Sequence, residues 1–198
     1  MQQERTDNLK KLFPELPVLT GGRLCLRPLS LSDADSLQTL ISEEPVYRYL
    51  PAFLFEKKYD RPEDVILRLY DEGLNDAFIP GIFMGDRFCG LFEVYSFRKR
   101  LHKASVGYRL LQEEWGKGIA SEALKIMMGE LMLSRGIKLV TASTMPENRA
   151  SARVLQKNGF TLVRHGVEED WGFPTATPAD KWILLRQEFI AWNRSRSE

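Results

Sequence analysis

The sequence predicts an α+β fold, and three observations lead to this class. Residues 77–84, 88–97 and 104–111 are extended runs rich in Phe, Val, Ile and Tyr, joined by links short enough for an antiparallel meander. A glycine-bearing turn and a long apolar helix follow, and after them comes an alternation of strand and helix. Antiparallel strands that lead into one βαβ crossover indicate a mixed, mostly antiparallel sheet of about six to seven strands, flanked by helices.

The N-terminal third is predicted to supply one strand and three helices. Thr6 is a candidate cap for a short leading helix, and residues 23–29 alternate as expected for a strand. Ser32, with an acidic residue three positions later, resembles the capping box that opens a helix. Pro62 fits the first position of a further helix, which Gly73 would end.

The C-terminal half begins with a helix over about residues 118–134 that is apolar on almost all sides, so it is predicted to be buried against the sheet. Gly136 would end this helix. A strand at residues 138–144 and a helix at 148–158 follow. A first closing strand at 161–167, a loop at 168–181 and a last strand at 182–189 complete the prediction.

Length and charge exclude several classes of protein. The 198 residues suit one domain, which we expect over residues 1–198 with a core at about 20–190. With 28 basic and 27 acidic residues, the chain offers no broad surface for nucleic acid or for an anionic membrane. Cys25 and Cys89 form no metal-ligand spacing, so no metal site is predicted. The N-terminus is polar and no apolar run could span a bilayer, which favours a cytoplasmic location.

The turn before the apolar helix is a candidate anion site. A helix start leaves four backbone N–H groups without partners, and the helix dipole adds partial positive charge there. Gly116 and Gly118 allow the backbone to approach a phosphate closely, and Lys117 adds a charge. On the glycines alone, a tight strand-to-helix turn without any ligand explains the sequence equally well.

Two common phosphate motifs do not fit this turn. A P-loop requires a first glycine where Leu111 stands and a Ser or Thr where Gly118 stands. A Rossmann fingerprint would match Gly116 and Gly118, but Ser121 takes the place of its third glycine. No acidic residue closes the strand at 138–144 to hold a ribose, and an antiparallel meander does not precede that motif.

A third motif fits well. The run Trp-Gly-Lys-Gly-Ile-Ala-Ser-Glu-Ala at residues 115–123 resembles the acyl-CoA loop of GNAT acetyltransferases, in the form typical of the RimJ/RimL-type branch. The resemblance extends to Gly-Tyr at 107–108, Asn-Arg-Ala-Ser at 148–151, Leu-Gln-Lys-Asn-Gly-Phe at 155–160 and the opening strand at 23–28. It covers nearly the whole chain, from about residue 20 to about residue 190.

The resemblance implies a single GNAT N-acetyltransferase domain that binds acetyl-CoA through a strand-loop-helix site and uses no metal. Glu113 departs from the Gln or Arg usual in this loop, but the family's contacts there are largely through backbone N–H groups. The implied cofactor-binding residues are Leu110, Leu111, Gln112, Trp115, Gly116, Lys117, Gly118, Ile119, Ala120, Asn148 and Ser151.

The resemblance also implies a direct transfer, in which an amine attacks the thioester while both substrates are bound. A backbone N–H within 110–112 would stabilise the developing oxyanion. Many relatives protonate the thiolate with a Tyr where this chain has Leu155, whereas in RimL-like enzymes a Ser matching Ser151 lies near the sulfur. Asn148 would bind the pantetheine arm. It is also a good N-cap, with Ser151 merely in the first helical turn, and both interpretations can hold together.

The sequence contains one candidate for the general base. The family often places a Glu two residues before the Gly-Tyr pair, but this chain has Ser105 there. Glu93 is the remaining carboxylate on a central strand, and it points to the opposite face from Phe92 and Val94. It is therefore the candidate base, acting directly or through water, against the alternative of a solvated strand position.

Two segments are candidates for the walls of an acceptor site. Residues 168–171 contain three carboxylates and a Trp that could attract a cationic amine, or they form a solvated acidic loop. Residues 45–59 contain five aromatic side chains, which could be pocket wall, dimer surface or, most simply, core. The acceptor would be a protein N-terminus or a small amine, and a homodimer is compatible with this pattern. The rival functions are a non-catalytic acyl-CoA-binding module and an unrelated nucleotide-binding domain.

Overall fold

The computed structural model describes residues 7–195, and this part of the chain is built on one nine-stranded sheet flanked by helices. The strands are β1 Leu19–Gly21, β2 Leu24–Arg27, β3 Ala77–Phe78, β4 Gly81–Met84, β5 Arg87–Arg98, β6 Lys103–Leu110, β7 Leu139–Thr144, β8 Thr161–Glu169 and β9 Thr177–Leu185. The helices are α1 Ala34–Ser42, α2 Glu44–Tyr47, α3 Pro62–Leu69, α4 Ile119–Gly129, α5 Arg149–Lys157 and α6 Arg186–Arg194. Short 3-10 turns lie at Leu9–Lys11, Leu31–Asp33, Phe55–Lys57, Gly73–Asn75, Lys99–Leu101 and Gln112–Glu114, and a π-helical turn at Glu130–Ser134 extends α4.

The sheet is mixed and mostly antiparallel, as predicted. Its strands follow the order β1-β2-β4-β5-β6-β7-β9-β8, and β3 pairs with β5 beside this path. Among the pairings within residues 7–195, only that of β6 with β7 is parallel. The predicted α+β class is confirmed, and the βαβ crossover runs from β6 through α4 to β7.

The predicted count of about six to seven strands is wrong, because the described chain forms nine. One extra strand is the short β1, which precedes β2, the strand predicted at 23–29, and pairs with it. The other arises because the run 77–84 is divided at Pro80, which lacks the N–H that a continuous ladder needs. Residues on either side of Pro80 pair separately with β5, Ala77 opposite Tyr95 and Gly81 opposite Leu91.

Two N-terminal predictions require correction. Thr6 lies outside the described residues, so its role as a cap stays a prediction. Within residues 7–195 the leading element is the 3-10 turn Leu9–Lys11, with Asn8 as its cap, and it ends before the predicted region of Pro14. The capping box opens at Ser30 rather than at Ser32, because a 3-10 turn precedes α1 and its third residue, Asp33, supplies the reciprocal carboxylate. The Ser30 N–H donates to Asp33 Oδ2 at 2.7 Å.

The helix predicted at Pro62 begins there but ends at Leu69, four residues before the predicted stop at Gly73. Tyr70 follows it and fixes this end, since its hydroxyl donates to the Ile79 carbonyl oxygen at 2.9 Å and accepts from the Leu29 N–H at 2.7 Å. The chain therefore leaves the helix one turn early to join the sheet.

The C-terminal boundary also differs from the prediction. The last strand is Thr177–Leu185 rather than 182–189, and helix α6 follows it at once. Glu188 caps this helix by accepting a hydrogen bond from the Leu185 N–H at 3.1 Å. The predicted loop 168–181 is correspondingly shorter, because β8 and β9 pair from Glu169 opposite Thr177 onward.

The two faces of the sheet carry separate hydrophobic cores. Helix α4 lies in the first, where its apolar side chains pack on Phe92 and Val94, as its all-round apolar sequence predicted. Helices α1 and α3 cover the other face, where Leu37 and Leu40 pack near Leu91. Side chains that alternate along the central strands therefore face two different environments.

Candidate active site

A gap between β6 and β7 forms the centre of the candidate site. The two strands pair only over Lys103–Ser105 and Leu139–Thr141, after which β6 continues beside β5 and β7 beside β9. The Ser105 and Thr141 hydroxyl oxygens lie 2.8 Å apart at the closed end of the gap. A cavity of about 780 Å³ opens from the gap and reaches both faces of the sheet.

The predicted anion site lies at one end of this cavity, where α4 begins at Ile119. Gly116 and Gly118 have φ values of 74° and 81°, a region that strongly favours glycine. The N–H groups of the first helical residues, Ile119 and Ala120, have no intrahelical acceptors at this end. Gly116 and Ala120 line the cavity, so the turn has the backbone donors and the space that a phosphate needs.

Arg23 and Glu122 fix this turn from outside. Glu122, in the first turn of α4, accepts from the Arg23 backbone N–H at 2.8 Å and from Arg23 Nε at 2.9 Å. Arg23 Nη2 also donates to the Lys117 carbonyl oxygen at 2.6 Å. Both residues belong to the motifs that carry the family resemblance, but their separation in sequence hid the contact.

The loop between β6 and α4 has two further internal anchors. Trp115 Nε1 donates to the Leu110 carbonyl oxygen at 3.0 Å, although the indole remains 47% exposed. Glu114 is fully buried and forms ion pairs with Arg87 at 2.7 Å and with Lys117 at 3.2 Å. The Lys117 ammonium is therefore held beside the turn.

The backbone N–H groups at 110–112 are not equivalent. The Gln112 N–H donates to Glu43 Oε2 at 2.7 Å, and the Leu111 N–H donates to the Cys89 carbonyl oxygen at 3.0 Å. Hydrogen bonding alternates along an antiparallel strand, so the Leu110 N–H points away from β5 and toward the gap. Leu110 is thus the geometric candidate for the oxyanion donor, and cofactor contacts of Leu111 and Gln112 stay predictions.

Asn148, Ser151 and Tyr108 meet on the β7 side of the gap. The Asn148 side chain accepts from the Ser151 backbone N–H at 3.1 Å, so Asn148 is indeed the N-cap of α5. The Tyr108 hydroxyl lies 2.9 Å from Ser151 Oγ, where either group could donate. Burial raises the pKa of Tyr108 well above its usual value, so the phenol is protonated. All three residues line the cavity, and so does Leu155, which has no acidic proton.

Glu93 lies on the opposite face of the sheet, where it also lines the cavity. Phe92 and Val94 are core residues on the other face, as the alternation predicted. Glu93 is not a solvated strand position, because its side chain is only 16% exposed and accepts from Arg109 Nη1 at 2.9 Å. Burial raises the pKa of Glu93 above its usual range, against the Arg109 guanidinium, which lowers it.

Arg109 and Glu56 are site residues that the sequence analysis missed. Arg109 donates Nη2 to Glu56 Oε2 at 2.6 Å, its Nε lies 2.5 Å from Glu56 Oε1, and both side chains are almost fully buried. For Arg109 the sequence did contain a signal, because a charged residue between Tyr108 and Leu110 on a central strand indicates a buried ion pair. Glu56 gave no signal, because it lies on a separate segment among aromatic residues.

Both predicted acceptor segments reach the cavity. In segment 45–59, Tyr49, Phe53 and Phe55 line the cavity, and other aromatic side chains of the segment pack on the second core, so wall and core are both present. In segment 168–171, Glu169 forms an ion pair with Lys181 and accepts from Trp171 Nε1 at 2.9 Å. The two segments are joined, since the Ala52 N–H donates to the carbonyl oxygen of residue 171 at 2.8 Å.

Comparison with known proteins identifies the family. Residues 23–161 match the profile of the family described as the acetyltransferase (GNAT) domain. The chain belongs to the GNAT acetyltransferase family. The probable N-acetyltransferase YjcK of Bacillus subtilis is similar to it, with 30% identity over 150 residues that cover 72% of this chain and 83% of that protein.

Solved GNAT structures share the fold. RimJ of Mycobacterium smegmatis, in complex with CoA-disulfide, gives a TM-score of 0.73 at 18% identity and covers 92% of this chain and 97% of its own. The spermidine N-acetyltransferase of Vibrio cholerae, in complex with CoA and spermine, gives 0.71 at 18% identity and covers 86% and 99%. At 18% identity both structures show the shared fold, and the RimJ/RimL-type branch stays a prediction.

As a GNAT family member, the chain is an acetyltransferase that uses acetyl-CoA, which confirms the predicted enzyme class and co-substrate. The structure fits this molecule: the turn has backbone donors for a pyrophosphate, and the gap between β6 and β7 leads from it to the Leu110 N–H. Within residues 7–195, no helix combines the length and apolar character needed to cross a membrane.

Proposed function

We propose that this GNAT enzyme transfers the acetyl group of acetyl-CoA directly to a primary amine while both substrates are bound. The observation that carries the proposal is the single cavity that joins three features: the turn at 116–120, the Tyr108–Ser151 pair and the carboxylate of Glu93. A donor from the α4 side and an acceptor from the opposite face would meet in the gap between β6 and β7.

The chain's own residues would divide the binding of acetyl-CoA among them. The N–H groups of Gly118, Ile119 and Ala120, with Lys117 nearby, would hold the pyrophosphate at the positive end of α4. The amide of Asn148 would contact the pantetheine arm while its oxygen caps α5. The thioester supplies the acetyl group and a thiol leaving group, and the Leu110 N–H would donate to its carbonyl oxygen.

A proton acceptor on one face of the sheet and a hydrogen-bond donor on the other would complete the reaction. Glu93 would accept a proton from the attacking amine, directly or through water, and its raised pKa brings it closer to the operating pH of a general base. Ser151, linked to the buried Tyr108 hydroxyl at 2.9 Å, would donate a hydrogen bond to the leaving sulfur. This pair would substitute for the tyrosine that Leu155 replaces.

The acceptor is proposed as a primary amine, either a small molecule or a protein N-terminus. An amine acceptor is supported by the solved relative that is a spermidine N-acetyltransferase and by the carboxylate at the acceptor side of the cavity. A homodimer and a cytoplasmic location remain predictions. Family membership favours this enzyme over a non-catalytic acyl-CoA-binding module.

A two-step experiment tests the proposal. Acetyl-CoA at about millimolar concentration should raise the melting temperature through ligand linkage, and no rise would refute binding at the turn. Thiol release should then be followed with acetyl-CoA and a panel of small amines and peptides with free N-termini. Release with any amine supports the transfer, and an acetylated N-terminus or side chain in the product identifies the acceptor class. Silence across the panel would favour the binding module.

A further inference from the structure

Three charged side chains form a buried cluster below the acceptor side of the cavity. Arg109, on β6, is 2% exposed in its side chain, and Glu56, on the turn Phe55–Lys57, is 1% exposed. Glu93, on β5, is the third member, and its side chain is 16% exposed, unlike that of Glu56. Two carboxylates and one guanidinium leave the cluster with one net negative charge.

The guanidinium divides its donors unequally. Nε and Nη2 both face Glu56, at 2.5 Å and 2.6 Å, whereas only Nη1 reaches Glu93 Oε2, at 2.9 Å. Among the described residues, no hydrogen bond is found to Glu93 Oε1. Nη2 makes the hydrogen bond to Glu56, and Nε adds a charge contact without hydrogen-bond geometry. Glu56 therefore holds the guanidinium from one side, while Nη1 on the other side is directed at Glu93.

The surroundings keep Glu93 accessible to a substrate. Its partner across the ladder is Gly107, where even an added Cβ would lie 3.9 Å from Glu93 Oε2. Tyr47 supports the cluster from the second core, where its hydroxyl donates to Glu56 Oε1 at 3.3 Å. Tyr95, two residues further along the same face of β5, also lies beside Glu93, and burial raises its pKa so that the phenol is neutral. The charged groups that face Glu93 are Arg109 directly and Glu56 behind it.

We propose that Glu56 is a positioning residue, which pairs its charge with Nε and Nη2 of Arg109 so that this arginine orients Glu93 toward the acceptor without neutralising it. The inference rests on the proposed role of Glu93 as the base. Without the Glu56 charge, the full guanidinium charge would act on Glu93 and make it a weaker proton acceptor. Without Arg109, the two carboxylates would repel each other and Glu93 would ionise only at higher pH.

The test is the pH dependence of kcat in three variants, measured with saturating acetyl-CoA and one saturating amine. The acidic limb of kcat reports the base in the ternary complex. Glu56→Gln should move this limb down by at least about one pH unit, and Arg109→Gln should move it up by a similar amount. Tyr47→Phe is the matched control, since it removes a contact to Glu56 without changing charge, and its limb should not move.

A purely structural role for Glu56 predicts a different result. Glu56→Gln would then lower the melting temperature and raise the KM for the amine, with the limb unmoved, and that outcome overturns the inference. Binding of CoA, seen as a rise in melting temperature, shows that each variant is folded. If Glu56→Gln does not fold, Glu56→Asp decides the question, because it keeps the charge but withdraws the carboxylate from Arg109. Its acidic limb should move down as well, by less than in Glu56→Gln, and an unmoved limb overturns the inference.

Glu93→Gln separates this inference from the proposed function. If Glu93→Gln keeps its kcat and its acidic limb, Glu93 is not the base, and both the proposed role and the inference fail. If Glu93→Gln loses the limb while Glu56→Gln leaves it in place, the base is correct and only the positioning role of Glu56 is refuted.

Discussion

Replacement of Gly116 by alanine provides a direct test of the phosphate-binding turn. Gly116 has a φ of 74°, and a Cβ built there would meet no atom within 4 Å. The change therefore introduces backbone strain without a clash, at about 1–2 kcal/mol for a left-handed alanine. Relief of that strain would rotate the peptide groups whose N–H atoms are proposed to bind the pyrophosphate.

The same helix supplies a matched control at its other end. Gly136 has a φ of 70°, and a Cβ there would also meet nothing within 4 Å. Gly136→Ala should lower the free energy of unfolding by the same amount, about 1–2 kcal/mol. Each of the two variants should then melt about 2–8 °C lower than the unmodified protein. Gly136 does not line the cavity, so only the Gly116 variant should also lose affinity for acetyl-CoA.

The expected loss of affinity follows from the hydrogen bonds at stake. One charge-assisted hydrogen bond contributes about 1.5–3 kcal/mol, so the Kd for CoA should rise about ten- to a hundredfold in Gly116→Ala. Titration calorimetry measures the Kd, and differential scanning calorimetry measures the melting temperature. An unchanged Kd in Gly116→Ala, beside equal destabilisation in both variants, would refute the assignment of this turn to the pyrophosphate.

Three further predictions address the thiol end of the site, the pH dependence of stability and the core. Ser151→Ala should lower kcat by about tenfold or more with little change in the Kd for CoA. If Ser151 and Tyr108 act as one unit, adding Tyr108→Phe to Ser151→Ala should lower kcat little further. An unchanged kcat in Ser151→Ala excludes Ser151 from the reaction. Burial disfavours ionised Asp33, but hydrogen bonds, above all from Arg27, outweigh burial and hold its pKa below its usual range. The contribution of Asp33 to stability is thus present above about pH 4 and is lost as the pH falls through its lowered folded-state pKa. Asp33→Asn should therefore weaken the fall in the free energy of unfolding at acid pH, as measured by urea denaturation. Leu124→Ala, at a fully buried site on α4, should lower the free energy of unfolding by about 2–5 kcal/mol in the same assay, and a loss below about 1 kcal/mol would show that the core closes around the change.

The sequence predicted features that are local along the chain. The turn at 116–118 and the helix cap at Asn148 each depend on residues within a few positions, and the structure has both. Alternation alone placed Glu93 on the face opposite Phe92, since side chains of a strand point alternately to its two faces.

Long-range pairings could not be predicted in the same way. Arg109 and Glu56 are separated by 53 positions, and each is an ordinary charged residue in its own segment. The boundary after Leu185 was missed because no glycine or proline within 182–189 marks an end. The capping contact of Glu188 with the Leu185 N–H is what begins a helix there. Likewise, only the tertiary hydrogen bonds of Leu111 and Gln112 distinguish the Leu110 N–H from its neighbours.

The separation of the two cores has a consequence for how this enzyme could acquire new substrates. Under the proposed function, donor recognition depends largely on α4 and α5, which pack on the first core. The acceptor walls depend instead on segment 45–59, which packs on the second core, and on the loop after β8. Mutations that reshape one specificity are therefore largely insulated from the other by the sheet itself. Exchange of the acceptor segments between relatives should yield altered amine preferences on an unaltered acetyl-CoA scaffold.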